Sequence, residues 1–226
     1  MERLGIIQPG KTGDVIVVLP IAKWYYDLGY SVVWPVASEY IPLFDYIDYV
    51  TPIDIGGIDG GYDKSKEALR GVVNIIDLGI GFGRDESDWY TLNLPWNEWK
   101  YKEAKVPFEE QFNLQINRKI DKELELEKFV GDPKVDGYVV THSVGSVWRV
   151  DFGIKNSIEV RSILGYTVFD WISIIKRAKK VYCIDSCVAH LVNQLRLAIG
   201  KRVFRPFDEY TGRPKYLAMS NIKWEK

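Results

Sequence analysis

Two short stretches of this 226-residue chain concentrate the side chains that could do chemistry. The first is QPGKTGD, residues 8–14. Gly10 and Gly13 let the backbone turn tightly, with Lys11 and Thr12 on the turn. Asp14 then falls where a helix begins, at the positive end of its dipole. A carboxylate there either caps the helix or serves as an acid/base group aimed into a cleft. The second stretch is YCIDSCVAH, residues 182–190. A strand delivers Asp185 and Ser186 to its carboxyl end. A helix starts there, so its free N–H groups and the Ser186 hydroxyl suit a phosphate. His190 follows Ser186 at i+4 and shares its face; it is one of only two histidines in the chain.

Residues 5–12, GIIQPGKT, also match the phosphate-loop pattern G-x-x-x-x-G-K-[ST]. VVNIID at 72–77 would then be the acidic strand that partners it, in a P-loop nucleotide kinase or ATPase. The physics argues against this. Gly5 would end a strand of four residues, and Ile6 and Ile7 look like the strand itself. Pro9 removes a donor from the cradle. The chain contains no Asp-x-Asp, a common metal–diphosphate clamp. Its two cysteines, Cys183 and Cys187, are too few for a disulfide framework or a four-ligand zinc site, and read as small buried thiols.

The elements that must position these residues alternate. Residues 3–8, 31–36, 48–53 and 72–77 read as strands. The segment DVIVVLPIAKWYYDLG between the first two is a helix closed by Gly29, apolar nearly all round, with Pro20 predicting a kink or an irregular turn. Such alternation implies βαβ units and a parallel sheet. Residues 81–104, rich in Trp and Tyr, read as a long irregular loop. Residues 107–130 read as a helix and GDPKVDG as a linker. Strands follow at 137–142, 157–162, 180–184 and in KRVFRPF, with helices at 168–179 and 186–198, the last capped by Gly200. The expected fold is compact α/β: two Rossmann-like halves with parallel sheets, 1–132 and 133–226, hinged near 131–136. Ligands are expected at the carboxyl ends of the strands.

The charge is split between these halves. Residues 1–136 carry 15 Lys and Arg against 24 Asp and Glu, and residues 137–226 carry 15 against 7, so −9 faces +8. A basic second half suits a polyanionic ligand such as a nucleotide diphosphate or a nucleic acid. No stretch approaches the roughly 20 apolar residues of a membrane span. The first residues lack a signal-peptide layout, so a cytoplasmic protein is expected.

At three blocks these residues resemble a family. The turn GKTGDVIVVLPIAKWY is similar to the Gly-Asp-(Val/Ile) turn and proline-bearing helix that open the ADP-heptose–lipopolysaccharide heptosyltransferases, glycosyltransferase family 9. GYTVFDWISIIKRAKKVYCIDSCVAHLVNQL looks like that family's late signature, Asp-(Ser/Thr)-Gly-x-x-His opening a helix. Cys187 stands where the family usually has Gly. VVTHSVGSVWRVDF is similar to the stretch opening its second domain. The resemblance implies a GT-B architecture, with the acceptor on the N-terminal half and the nucleotide sugar on the C-terminal half. By position, Asp14 would be the general base, and Asp185, Ser186 and His190 would hold the donor diphosphate. Arg149 and Ser143 would be further donor contacts.

The implied activity is an inverting, metal-independent transfer of a hexosyl, heptosyl or pentosyl group from a nucleotide sugar to an acceptor hydroxyl. The nucleotide sugar is a co-substrate, and no cofactor is expected. Compact relatives of this kind resemble phage-encoded enzymes. The acceptor is then a hydroxymethylated pyrimidine in phage DNA, modified in the host cytoplasm, or a saccharide. Trp89, Trp96 and Trp99 are the acceptor-side candidates, since aromatic rings stack on flipped bases and on sugar faces; the alternative for this segment is a lid or a packed satellite core. A non-catalytic nucleotide-sugar binder is the remaining class.

Overall fold

The computed structural model describes residues 1–80, 82–84, 94–131, 137–145, 149–184, 186–197, 202–204 and 223–225. The described chain forms two compact units, one ending at Asn117 and the other beginning at Arg118.

In the first unit, β1 (Arg3–Ile7), β2 (Ser31–Val36), β3 (Thr51–Asp54) and β4 (Asn74–Asp77) form one parallel sheet in the order β3-β2-β1-β4. β1 is central, pairing Gly5 with Val33 on one side and with Ile75 on the other. A central parallel strand is covered on both faces, which is why RLGII reads as a continuous apolar run. The connection from β1 to β2 is helix α1 (Thr12–Asp27). Every residue from Val15 to Ala22 in it is buried, Pro20 included, and the helix continues through the proline. It ends where Gly29 takes a φ of +93°, a conformation other residues resist. A one-turn helix, α2 (Ile41–Phe44), precedes β3, and α3 (Gly61–Ala68) precedes β4.

The aromatic stretch expected as a loop is in part a helix, α4 (Trp96–Glu103). Pro95 starts it with its fixed φ of −54°, Glu98 lies in its first turn, and Lys100 and Lys102 lie in its last, each suited to the dipole. Tyr101 Oη donates to the Val17 carbonyl of α1 at 3.0 Å, and Tyr25 Oη of α1 donates to the Ala104 carbonyl at 2.7 Å. These bonds dock α4 along α1.

The helix expected over 107–130 is two elements. A short 3-10 turn covers Phe108–Phe112, and helix α5 covers Ile120–Val130. α5 belongs to the second unit, so the units part ahead of the 131–136 linker. Its Glu123 is fully buried and accepts from both Arg118 Nε at 2.8 Å and Ser173 Oγ at 2.6 Å. Glu127 pairs with Arg177 at 2.6 Å. A buried carboxylate without such partners would be costly, so these bonds fix α5 to the elements that carry them.

The second sheet comprises β5 (Val139–His142), β6 (Ser157–Glu159), β7 (Lys180–Cys183), β8 (Arg202–Phe204) and β9 (Lys223–Glu225), all parallel, in the order β6-β5-β7-β8-β9. The helix expected over 168–179 begins as a 3-10 turn, Val168–Trp171, closed by a capping box between Thr167 and Asp170, and continues as α6 (Ile172–Arg177). After β7 comes α7 (Cys187–Gln194). Gly200, its expected cap, lies outside the described residues. β9 has no counterpart in the sequence reading. No described helix is long and apolar enough to cross a membrane.

Gly5 tests the packing of the first sheet. A Cβ there would fall 2.7 Å from a δ-carbon of Leu69, which is 1% exposed and hemmed in. Gly5→Ala is expected to destabilise the protein by about 1–3 kcal/mol, read as a lower urea midpoint at unchanged slope.

Candidate active site

Each unit has a place where its strand order reverses, and open parallel sheets bind ligands just beyond the strands there. In the first unit it lies between β1 and β4. β1 ends at Ile7 and α1 begins at Thr12, so only Gln8, Pro9, Gly10 and Lys11 make the turn. Gly5, Ile6 and Ile7 are strand residues, each paired with β4. The loop of a phosphate-binding P-loop would begin at Gly5, so this geometry leaves no room for one. Gly10 is required by space: a Cβ on it would sit 2.2 Å from Tyr40 Cε2. Gly13 and Thr12 lie in the first turn of α1, and Lys11, its N-cap residue, is exposed.

The crevice beyond β1 and β4 is filled by Lys100. This residue of α4 is fully buried. Its Nζ donates to Gln8 Oε1 and, at 3.4 Å, to the Leu78 carbonyl. It lies 3.4 Å from Asp14 Oδ1 and 4.2 Å from the centroid of the Trp96 ring. Gln8 is itself fully buried, and its Nε2 donates to the Gly10 carbonyl at 2.6 Å. Burial pushes the Lys100 ammonium from its ordinary 10.5 down to about 8, against the pull of Asp14.

Asp14 makes no capping bond. Its Oδ1 takes the Lys100 ion pair and, at 2.9 Å, the indole N–H of Trp96. Its Oδ2 accepts no hydrogen bond from the described residues, and its side chain keeps 18% exposure. Burial, then Glu39, then Asp14 raise the Tyr40 phenol nearby. Trp96 stacks on Trp99 with centroids 5.8 Å apart, and the Arg84 guanidinium lies 5.3 Å over Trp99. Trp99 is fully buried, so it presents no face to a ligand, whereas Trp96 is half-buried. Trp89 lies outside the described residues.

In the second unit the reversal lies between β5 and β7. His142 ends β5, and its Nδ1 is 2.7 Å from Ser186 Oγ, just beyond β7. Ser186 is the N-cap residue of α7, yet its hydroxyl makes no capping bond. It is held by His142 instead, which leaves the first amides of α7 without a side-chain cap. His142 is nearly buried; burial lowers its ring's pKa, with Glu159 pulling the other way. Glu159, at the end of β6, accepts from the amide and the hydroxyl of Ser143, both at 2.7 Å, and from Thr141. Burial would raise the Glu159 carboxyl, but these bonds hold it below the usual range. His190 is buried one turn into α7, its amide donating to the Ser186 carbonyl at 3.1 Å. Arg149 is exposed and bridges Val144 through the backbone. Asp185 lies outside the described residues. Cys183 is fully buried, and burial pushes the Cys187 thiol up to about 11, so both are inert at neutral pH. Among the described residues, no three His, Cys, Asp or Glu side chains converge as a metal site would need.

Lys100, Gln8 and His142 were missed in the sequence. For His142 a signal exists: it ends an apolar strand with a polar side chain, where a parallel sheet places its ligands. For Lys100 there is none, since a lysine in a helix ordinarily reads as solvated.

The Lys100 environment predicts a pH effect on stability. Its folded-state pKa lies below the unfolded value, so the unfolded chain binds the extra proton between about 8 and 10.5. Its contribution to stability is therefore smallest below pH 8 and grows as pH rises through that window, by about 3 kcal/mol in all. Urea unfolding at several pH values should show this gain in the wild type relative to Lys100→Met.

No protein-family model matches the chain, and no curated protein matches it in sequence. Solved structures do match its fold. A glycosyl transferase of family 9 from Veillonella parvula aligns over 90% of this chain and 80% of its own, at 11% identity and a TM-score of 0.51. The E. coli heptosyltransferase WaaC, solved with ADP-2-deoxy-2-fluoro heptose, aligns over 99% and 93%, at 11% identity and a TM-score of 0.52. The dodecameric, iron-containing glycosyltransferase TibC from enterotoxigenic E. coli aligns over 90% of this chain but 59% of its own, at 10% identity and a TM-score of 0.54. The chain is thus built on the two-unit α/β fold that these glycosyltransferases share.

Proposed function

We propose that this chain is an inverting, metal-independent glycosyltransferase that moves a sugar from a nucleotide-sugar donor to an acceptor hydroxyl. One observation carries the reading: Asp14 stands at the carboxyl edge of the first sheet with Oδ1 held by two donors and Oδ2 without one among the described residues. Such a carboxylate is placed to take a proton from a bound hydroxyl. The acceptor oxygen attacks the anomeric carbon as its O–H proton passes to Asp14. The bond from that carbon to the donor phosphate breaks, and the electron pair leaves with the nucleotide. Attack opposite the leaving group inverts the anomeric centre.

The leaving diphosphate gains charge, and the first amides of α7, with the hydroxyl of Ser186, are oriented to meet it. Asp185, His190, Arg149 and Ser143 remain the further donor contacts of this reading. The first unit's reversal point is filled by Lys100 and Gln8, which favours the second unit as the nucleotide site. The ligand of the WaaC structure is a nucleotide sugar, in keeping with that class of donor. An acceptor is either a saccharide or a hydroxymethylated pyrimidine in DNA, with Trp96, and Trp89 from the sequence, as stacking candidates.

The test incubates the protein with UDP-, GDP-, ADP- and CMP-linked sugars, with saccharide acceptors or hydroxymethylcytosine DNA, in chelator. One donor should be consumed, and Asp14→Asn should slow turnover by about 10²–10⁴-fold while donor binding persists. Full activity of Asp14→Asn would contradict the base assignment, and donor binding without transfer by the wild type would indicate a non-catalytic binder. A DNA acceptor would reveal itself by binding that weakens steeply with salt.

A further inference from the structure

We propose that Lys100 is a positioning residue for this transfer: with Trp96 it fixes Oδ1 of Asp14, so that Oδ2 is the oxygen that takes the acceptor proton. The inference rests on the glycosyltransferase reading and assigns it a group that no sequence motif marks. Four observations carry it. Lys100 is fully buried, so its ammonium is solvated only by the protein. Its Nζ reaches Asp14 Oδ1, Gln8 Oε1 and the Leu78 carbonyl together. Trp96 donates its N–H to the same Oδ1 while its ring face lies against that ammonium. The indole is in turn backed by Trp99, which has no freedom to move.

The consequence is directional. A carboxylate on a free side chain presents either oxygen through a rotation about χ2. Here the rotation would break two interactions with donors whose own positions are set by packing. The oxygen left to the acceptor is therefore chosen before the acceptor arrives, which is the preorganisation that proton transfer exploits. After the transfer the carboxyl is neutral at Oδ2, and Oδ1 still accepts from Trp96. Lys100 keeps its own proton throughout, held by Gln8 and Leu78.

Among the described residues, these charged and titratable groups face the pair. Asp14 faces Lys100 from α1, and Tyr40 is coupled to Asp14 from the segment after β2. Arg84 lies over Trp99 and is neutralised by Glu103 at 2.7 Å. Gln8 and Leu78 contribute neutral oxygens.

The experiment follows the Asp14 carboxyl carbon by NMR as pH is varied, assigned by its loss in Asp14→Asn. In Lys100→Met the carbon should show no inflection near 8, because the ammonium beside Oδ1 is gone. Trp96→Phe, which keeps the ring and removes the N–H, should retain that inflection, since the ammonium stays beside Oδ1. In the wild type the same carbon should show an inflection where Lys100 loses its proton, near 8. That inflection keeps the test decisive should Lys100→Met fail to fold. No inflection near 8 in the wild type, or one that persists in folded Lys100→Met, would overturn the proposal. With an active donor, Lys100→Met should also lower kcat, leaving donor KM unchanged. Coupled titration in a protein that transfers no sugar would count against the transferase reading alone.

Discussion

A fully buried ammonium must find partners or lose its proton, and in the first unit that requirement ties four segments together. Lys100 comes from α4, Gln8 from the end of β1, Leu78 from the end of β4 and Asp14 from the start of α1. None of these contacts survives if one segment slips. The ammonium sits at the reversal of strand order, the place where a parallel sheet ordinarily leaves a crevice. Filling it with a side chain turns the crevice into a support for the Asp14 carboxylate at its rim. The indole of Trp96 completes that support, and Tyr25 and Tyr101 hold α4 against α1 so that the support cannot drift.

The second unit treats the same topological place differently. His142 and Ser186 bridge it with a single 2.7 Å bond and no buried charge. The serine that would ordinarily cap α7 is turned aside, and the first helix amides carry no side-chain cap. Glu159 is occupied by Thr141 and Ser143, so its carboxylate serves the turn after β5. A crevice filled by a cation in one unit and left to neutral donors in the other fits an unequal division of labour between proton acceptance and anion binding.

How far this was legible in the sequence depended on periodicity. RLGII, SVVWPV and the long apolar α1 announce themselves because burial on all sides leaves an unbroken apolar run. The turn with Asp14 and the junction with Ser186 were equally plain, since a parallel sheet puts its turns at one edge. The helix at 96–103 was hidden: WNEWKYKE has no apolar stripe, because its inward face uses Trp99, Lys100 and Tyr101, and a buried lysine looks like a solvated one. α5 was legible as part of the helix expected over 107–130, although it carries Glu123 and Glu127 on the side that packs. The capping box at Thr167 and Asp170 opens a 3-10 turn where the pattern suggested one continuous helix. Three-residue strands such as β9 fall below what alternation can mark. Hydrophobic pattern reveals elements whose inner faces are apolar; it is silent where ion pairs form the inner face.

The most direct test is amide chemical-shift mapping of the protein with UDP, GDP and ADP, each with and without magnesium. Shifts centred on Ser186 to Ala189, with Ser143 and His142, and independent of magnesium, are the expected result. They would place the nucleotide at the second unit's reversal point and leave the first unit to the acceptor. Shifts confined to Gly10–Gly13, or appearing only with a nucleoside triphosphate and magnesium, would contradict that division and with it the glycosyl-transfer reading.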